Sequence, residues 1–190
     1  MQGRIIKSVS NDYTVLVGNK EYICKGRGRL KHNNIKPMVG DIVTLDDDLL
    51  ISKIEARKNE LIRPVISNID QAYLITSLKN PNLDLNLLDK LLVIISFNNI
   101  KPIICFTKID LLDDIETTKY EKIKKYYESI GITCFTNDDI NELKDSLKNK
   151  ISVFTGQTGA GKSTLLNRLD PTLKLTTNEI SYALNRGKNT

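Results

Sequence analysis

Nine residues, GQTGAGKST (Gly156–Thr164), constrain this chain more tightly than any other stretch. They match GxxxxGK[ST] at every fixed position. An apolar run, ISVFT, stands immediately before them, and KSTLLNRL, which reads as the start of a helix, closes the stretch. That context makes a glycine-rich pattern a phosphate loop. Glycines let the backbone curl until successive N–H groups face one point, and the following helix adds its positive end there. On this reading Gly156, Gln157, Thr158, Gly159, Ala160, Gly161, Lys162, Ser163 and Thr164 surround the phosphates of a nucleotide. Lys162 reaches the terminal phosphates and the Ser163 hydroxyl ligates Mg²⁺. Both act electrostatically, and no general base is identified. Such a loop belongs to a strand–loop–helix unit of a parallel sheet, so the chain must supply that sheet.

It does so upstream. DQAYLITSL, KPIICF and ITCFT are apolar runs of strand length. Between them and ISVFT lie DLNLLDKLLVIISFNN, ETTKYEKIKKYYESIG and DDINELKDSLKN, which have helical spacing. Asp84 fits an N-cap, and Gly131 a C-cap. KPIICF, apolar throughout, has the character of a central parallel strand. Directly after it comes Thr107-Lys108-Ile109-Asp110, where ligands collect at the carboxyl edge of an open sheet. A carboxylate there accepts both N1–H and N2–H₂ of guanine. Adenine has no such donor pair and leaves the charge unpaired. The Lys108 stem can lie along the purine plane. The pattern is [NT]KxD, with Thr in place of the commoner Asn.

The order of the two motifs is unusual. In Ras-like GTPases the phosphate loop comes first and the base-reading motif follows; here Thr107–Asp110 precedes Gly156. Moving the termini of a doubly wound sheet preserves its contacts when the old ends lie close together, so the order implies a circular permutation.

Residues 1–66 read differently. GRIIKSV, DYTVLVG, KEYICKG, GDIVTL and LISKIEA are short β-prone runs separated by turn residues. Five short strands fit a small closed barrel, an OB-fold, with an SH3-like barrel as the alternative. RPVISN reads as a linker to residues 67–190. The expected architecture is thus an OB-fold barrel followed by an incomplete, circularly permuted α/β P-loop GTPase domain. Charge is uneven as well. Residues 1–66 hold 12 Lys and Arg against 8 Asp and Glu, a net +4 out of a total of +5. A basic front end implies a polyanionic partner. Lys25, Arg27, Arg29, Lys31 and Lys36, around KGRGRLKHNNIK, are its candidate RNA contacts. Tyr13 and Tyr22 read as strand packing in preference to base stacking. Asp46, Asp47 and Asp48 read as a tight turn in preference to a metal site.

No run approaches the roughly 20 apolar residues of a membrane span. The N-terminus has no secretory core, and the three cysteines form no CxxC pair. Buried thiols in a reducing cytoplasm are expected. His32 is the only histidine, which excludes a multi-histidine metal centre in this chain.

A basic barrel, then TKxD, then GQTGAGKS resembles the RsgA (YjeQ) family of circularly permuted GTPases. KPMVGD, ARKNELIRP, RPVISNIDQ, LLDKLLV and TNEISYALNRGKNT resemble further family segments, so the likeness covers essentially the whole chain. It implies a monomer that binds the 30S subunit and 16S rRNA late in subunit assembly. It also implies slow hydrolysis of GTP to GDP, faster on the ribosome. The family pattern continues with a DxxG motif and a zinc-binding Cys/His segment, so zinc is expected only with that segment and the chain reads as a truncation. Thr190 falls where a switch threonine would ligate Mg²⁺. Asn189 stands where the family usually has histidine, and asparagine cannot serve as a general base near neutral pH. In ITCFTNDD, Thr136 and Asn137 are candidates for a last base-contacting loop lacking the usual Ser-Ala. Two other functions fit the residues alone: a P-loop ATPase acting on nucleic acid, and a non-enzymatic nucleotide sensor that binds RNA.

Overall fold

The computed structural model describes residues 1–26 and 36–175. They divide into two compact units, one of Met1–Ile69 and one beginning at Asp70.

In the first unit all five expected strands form: β1 (Gln2–Val9), β2 (Asp12–Val17), β3 (Lys20–Gly26), β4 (Ile42–Leu45) and β5 (Leu50–Ile54). They close into a barrel in the order β1-β2-β3-β5-β4. β1 pairs antiparallel with both β2 and β4, while β3 and β5 run parallel. This is the OB arrangement, and the SH3-like alternative is set aside. Inward positions alternate along each strand, placing Ile5, Tyr13, Val15, Cys24, Val43, Leu45 and Ile51 in one core. Each large apolar side chain taken out of water there contributes about 1.5–3 kcal/mol. Tyr13 is buried and Tyr22 packs against the same cluster, as their strand positions implied. The Asp46 carboxylate accepts from the Asp48 and Leu50 amides, at 3.1 and 2.8 Å, so this acidic run is a turn. Among the described residues no cluster of metal-ligating side chains forms.

One expectation is corrected. Arg63–Asn68 is not an extended linker. β6 (Glu60–Ile62) and β7 (Val65–Ser67) form an antiparallel hairpin with Arg63 and Pro64 at its turn. Its strands are three residues each, too short for alternation to show, and Pro64 occupies the turn, where it interrupts no ladder. A fully buried carboxylate, Asp41, fixes this hairpin to the barrel. Arg57 grips Asp41 with two nitrogens, at 2.7 and 2.8 Å. The Ser67 hydroxyl donates to Asp41 at 2.6 Å and the Met38 amide at 2.9 Å.

The second unit is an all-parallel sheet, β8 (Gln71–Ser77), β9 (Lys101–Thr107), β10 (Thr133–Thr136) and β11 (Ser152–Thr155), in the order β10-β9-β8-β11. Four helices accompany it: α1 (Leu85–Phe97), α2 (Asp114–Ser129), α3 (Ile140–Leu147) and α4 (Lys162–Leu169). Asp84 caps α1 by accepting from the Leu87 amide. Asp113 and Glu116 form a capping box at the start of α2, and Gly131 follows its end at φ +84°. One sheet face, Tyr73, Ile75, Ile103, Cys105 and Phe154, packs with Leu143 of α3 and Leu165 and Leu166 of α4. On the opposite face Phe106 meets Tyr120 of α2 edge-on, ring centres 5.3 Å apart. The three cysteines are buried free thiols, and burial pushes Cys105 and Cys134 up to about 12. Among the described residues no helix is long and apolar enough to cross a membrane.

Strand order sets the location of the site. From β8 the chain moves one way, to β9 and β10, then returns to place β11 on the other side of β8. The reversal at β8/β11 opens a crevice at the carboxyl ends of the strands, where open α/β sheets bind ligands. β9 and β11 lie two strand spacings apart, about 10 Å.

Candidate functional site

The phosphate loop leaves the end of β11, and its first residue must be glycine. Gly156 has φ +147°, and a Cβ there would lie 2.0 Å from the Ile75 carbonyl oxygen of β8. Gly161, at φ +88°, is the left-handed residue that starts α4. Between them Ala160 is fully buried, and its amide donates to the Gln157 carbonyl at 3.2 Å. Thr158 and Thr164 are exposed. Lys162 is 6% exposed, and its ammonium donates to the carbonyls of Gly156, at 2.8 Å, and Gln157, at 2.6 Å. Burial draws its pKa below the ordinary lysine value, because desolvation disfavours the charged form. Among the described residues this ammonium meets neutral carbonyls and no carboxylate, so it retains most of its attraction for an anion. Ser163 is buried beside it in the first turn of α4.

The base-reading motif occupies the end of β9. Thr107 is 3% exposed, and its hydroxyl donates to the Ala160 carbonyl of the phosphate loop at 2.7 Å. Lys108 adopts the left-handed conformation, φ +62°, and its ammonium donates to the Asn80 carbonyl. Ile109 and Asp110 then enter a single 3₁₀ turn, Ile109–Leu111, with Asp110 exposed. Thus the structure ties Thr107 to the phosphate loop, while Asp110 and Lys108 stand on the adjoining turn.

Two further loops flank these motifs: the β8–α1 loop, which carries no motif and escapes sequence reading, and the loop after β10, which holds the candidates Thr136 and Asn137. The β8–α1 loop runs past both motifs: Asn80 receives Lys108, and Pro81 is the nearest neighbour of a Cβ built on Gly159, at 3.7 Å. Lys79 in that loop pairs with Glu116 at 2.7 Å, which holds the Glu116 carboxyl below its usual range. Arg168 of α4 binds the loop after β10, donating to the Asn137 carbonyl at 2.7 Å and to Asp138 at 3.2 Å. In that loop the Asp139 carboxylate accepts from the Thr136 amide and hydroxyl, at 2.7 and 3.0 Å. For the β8–α1 loop the one forewarning in the sequence was position: it follows directly on a strand of the parallel sheet.

Of the candidate RNA contacts, Lys25 lies exposed on β3. Lys36 is exposed too, and its carbonyl accepts from Arg57 at 2.9 Å. Arg27, Arg29, Lys31, Asn189 and Thr190 lie outside the described residues.

Comparison with known proteins agrees along the whole chain. The model of the RsgA N-terminal domain matches residues 2–49, and that of the RsgA GTPase matches 54–190. Small ribosomal subunit biogenesis GTPase RsgA 2 of Oceanobacillus iheyensis is 43% identical over 198 residues, covering 100% of this chain and 68% of that protein. Small ribosomal subunit biogenesis GTPase RsgA of Latilactobacillus sakei is 44% identical, covering 99% of this chain and 67% of that protein. The crystal structure of YjeQ from Thermotoga maritima matches with a TM-score of 0.81 at 33% identity, over 93% of this chain and 67% of that one. YloQ, a circularly permuted GTPase, matches at a TM-score of 0.75 and 39% identity, over 90% of this chain and 64% of that one. This chain therefore spans about two thirds of the length of these relatives. A TKxD strand that precedes the phosphate-loop strand, after an OB barrel in the chain, is thus shared with these relatives, and the chain belongs to the RsgA family of circularly permuted GTPases.

Proposed function

We propose that the chain binds GTP and GDP across the carboxyl edge of the parallel sheet. It hydrolyses GTP slowly and acts, as a cytoplasmic monomer, in late maturation of the 30S ribosomal subunit. The observation that carries this reading is the Thr107 hydroxyl on the Ala160 carbonyl, which fastens the base-reading turn to the phosphate loop. One nucleotide can then meet both. Lys162 and the loop amides hold the phosphates, and Asp110 takes the guanine N1–H and N2–H₂. Thr107–Asp110 and Gly156–Thr164 line the nucleotide's path. The Ser163 hydroxyl, a hard oxygen donor beside the buried ammonium, suits Mg²⁺, which supplies further positive charge at the phosphates when bound. Hydrolysis is then mainly electrostatic: the chain holds the phosphoryl oxygens in a field of fixed positive charge while water attacks in line. Stimulation by the 30S subunit and contact of the barrel with 16S rRNA complete the reading, supported by the names of the relatives and the basic N-terminal region.

Titration calorimetry tests it. Guanine nucleotides should bind at least a hundredfold better than adenine nucleotides, and Asp110→Asn should shift preference toward xanthine nucleotides. Equal affinity for ADP and GDP removes the guanine assignment. Phosphate release by the full-length protein, with and without purified 30S subunits, tests the hydrolytic half. Absence of release in both conditions favours a nucleotide sensor.

A further inference from the structure

Thr107 belongs to a motif that reads the base, yet its hydroxyl faces away from that task. The side chain is 3% exposed, and two backbone carbonyls stand within reach of its oxygen: Ala160 at 2.7 Å and Thr76 at 3.4 Å. A threonine hydroxyl has one proton to donate. Both neighbours accept, and the short contact to Ala160 takes that proton. The purine edge beyond N1 and N2 offers N7 and O6, both acceptors. A hydroxyl whose proton is already committed cannot bind them. On the same side, a Cβ built on Gly161 would lie 3.7–3.8 Å from Oγ1, Cβ and Cγ2 of Thr107. Thr107 therefore bounds the space beside Gly161 as well as bonding to the loop at Ala160.

We propose that Thr107 is a positioning residue and not a base ligand: its hydroxyl locks the phosphate loop at Ala160 to the end of β9, and position 107 leaves the purine N7 unread. Base selection then rests on Asp110, while Thr107 sets the separation between the base-reading turn and the phosphates. The role fits the residue type. An asparagine at this position carries two N–H donors and can hold a carbonyl and a base together; threonine carries one. Losing the bond leaves the Ala160 carbonyl buried without its partner and frees the loop to shift, which weakens binding of any nucleotide whatever its base.

The proposal rests on the guanine reading above, and one set of titrations separates the two. GDP, 7-deaza-GDP and ADP are titrated into the wild-type chain and into Thr107→Val and Thr107→Ser. Thr107→Val should weaken GDP and 7-deaza-GDP alike, by about tenfold. The ratio of the two affinities should match wild type, and Thr107→Ser should recover both to within about threefold. A GDP preference over 7-deaza-GDP that disappears in Thr107→Val overturns the proposal, because the hydroxyl would then be reading N7. Unchanged GDP affinity in Thr107→Val also overturns it, because the lock would be holding nothing. Equal binding of ADP and GDP by wild type strikes the guanine reading instead. Thermal unfolding of each nucleotide-free variant checks the fold, and should Thr107→Val not fold, Thr107→Ala is held to the same affinity ratio.

Discussion

Each unit of the molecule buries one notable charge, and the two are handled in opposite ways. In the barrel unit Asp41 is fully enclosed and met by a two-nitrogen guanidinium grip, a hydroxyl and an amide. In the α/β unit Lys162 is nearly as deep, but among the described residues its hydrogen-bond partners are two neutral carbonyls of its own loop. A buried charge whose counter-charge is built in belongs to the architecture. A buried charge facing only dipoles has attraction to offer a ligand. The same burial thus marks a clasp in one unit and, on the proposed reading, a receptor in the other.

The contrast can be broken at three points. The largest effect is expected from Arg57→Ala, which leaves the Asp41 carboxylate buried without its cation. It should destabilise the barrel unit by about 3–5 kcal/mol in urea unfolding. Nucleotide affinity of the folded protein should stay within about threefold of wild type, and a larger loss would mean that the clasp also serves the site. Next is Lys162→Ala, which should lower GDP affinity about a hundredfold, or about 2.7 kcal/mol, by calorimetry. Its stability without nucleotide should stay within about 1 kcal/mol of wild type, since a desolvated cation is removed along with its bonds. Marked unfolding would make Lys162 a clasp like Asp41. The smallest effect is a pH dependence. Because desolvation lowers the folded-state pKa of Lys162, the native chain binds fewer protons than the unfolded one between that lowered value and about 10.4. The handicap is therefore complete below the lowered value and fades as pH rises through the window, so this residue makes stability rise there. Lys162→Met should flatten that rise in unfolding curves taken across the window. Identical slopes in the two proteins would mean that the ammonium is not desolvated.

What the sequence disclosed and what it withheld follow from the range of each interaction. The phosphate loop was legible because Gly156, Gly161, Lys162 and Ser163 do their work within a few residues of one another. The barrel strands were legible because alternation along β1 to β5 repeats often enough to be seen. The hairpin of β6 and β7 was not, because three residues make no pattern. The pairing of Asp41 with Arg57 was hidden for another reason: the two are common surface types, 16 positions apart. KPMVGD and ARKNELIRP looked like two separate signatures, yet Asp41 of one and Arg57 of the other make a single contact. Thr107 was read as part of a nucleotide motif. Its bond to Ala160, 53 residues later, could emerge only from coordinates, since nothing local to TKID names the acceptor. Lys79 and Arg168 gave no sign at all, because their partners are a backbone carbonyl and single carboxylates that any loop can offer, and Asn80 takes part only through its own backbone carbonyl.

The sheet order has a consequence for how the chain is made. Of the four described strands of its unit, β8 is synthesised first, and β11, which takes one of its edges, last; Gln71 must wait 81 residues for its hydrogen bond to Ser152. A nascent chain emerging N-terminus first can pair β8 with β9 and β10 before the phosphate-loop strand exists. On the proposed reading, competence to hold nucleotide is therefore acquired only once β11 and the loop that follows it have been made.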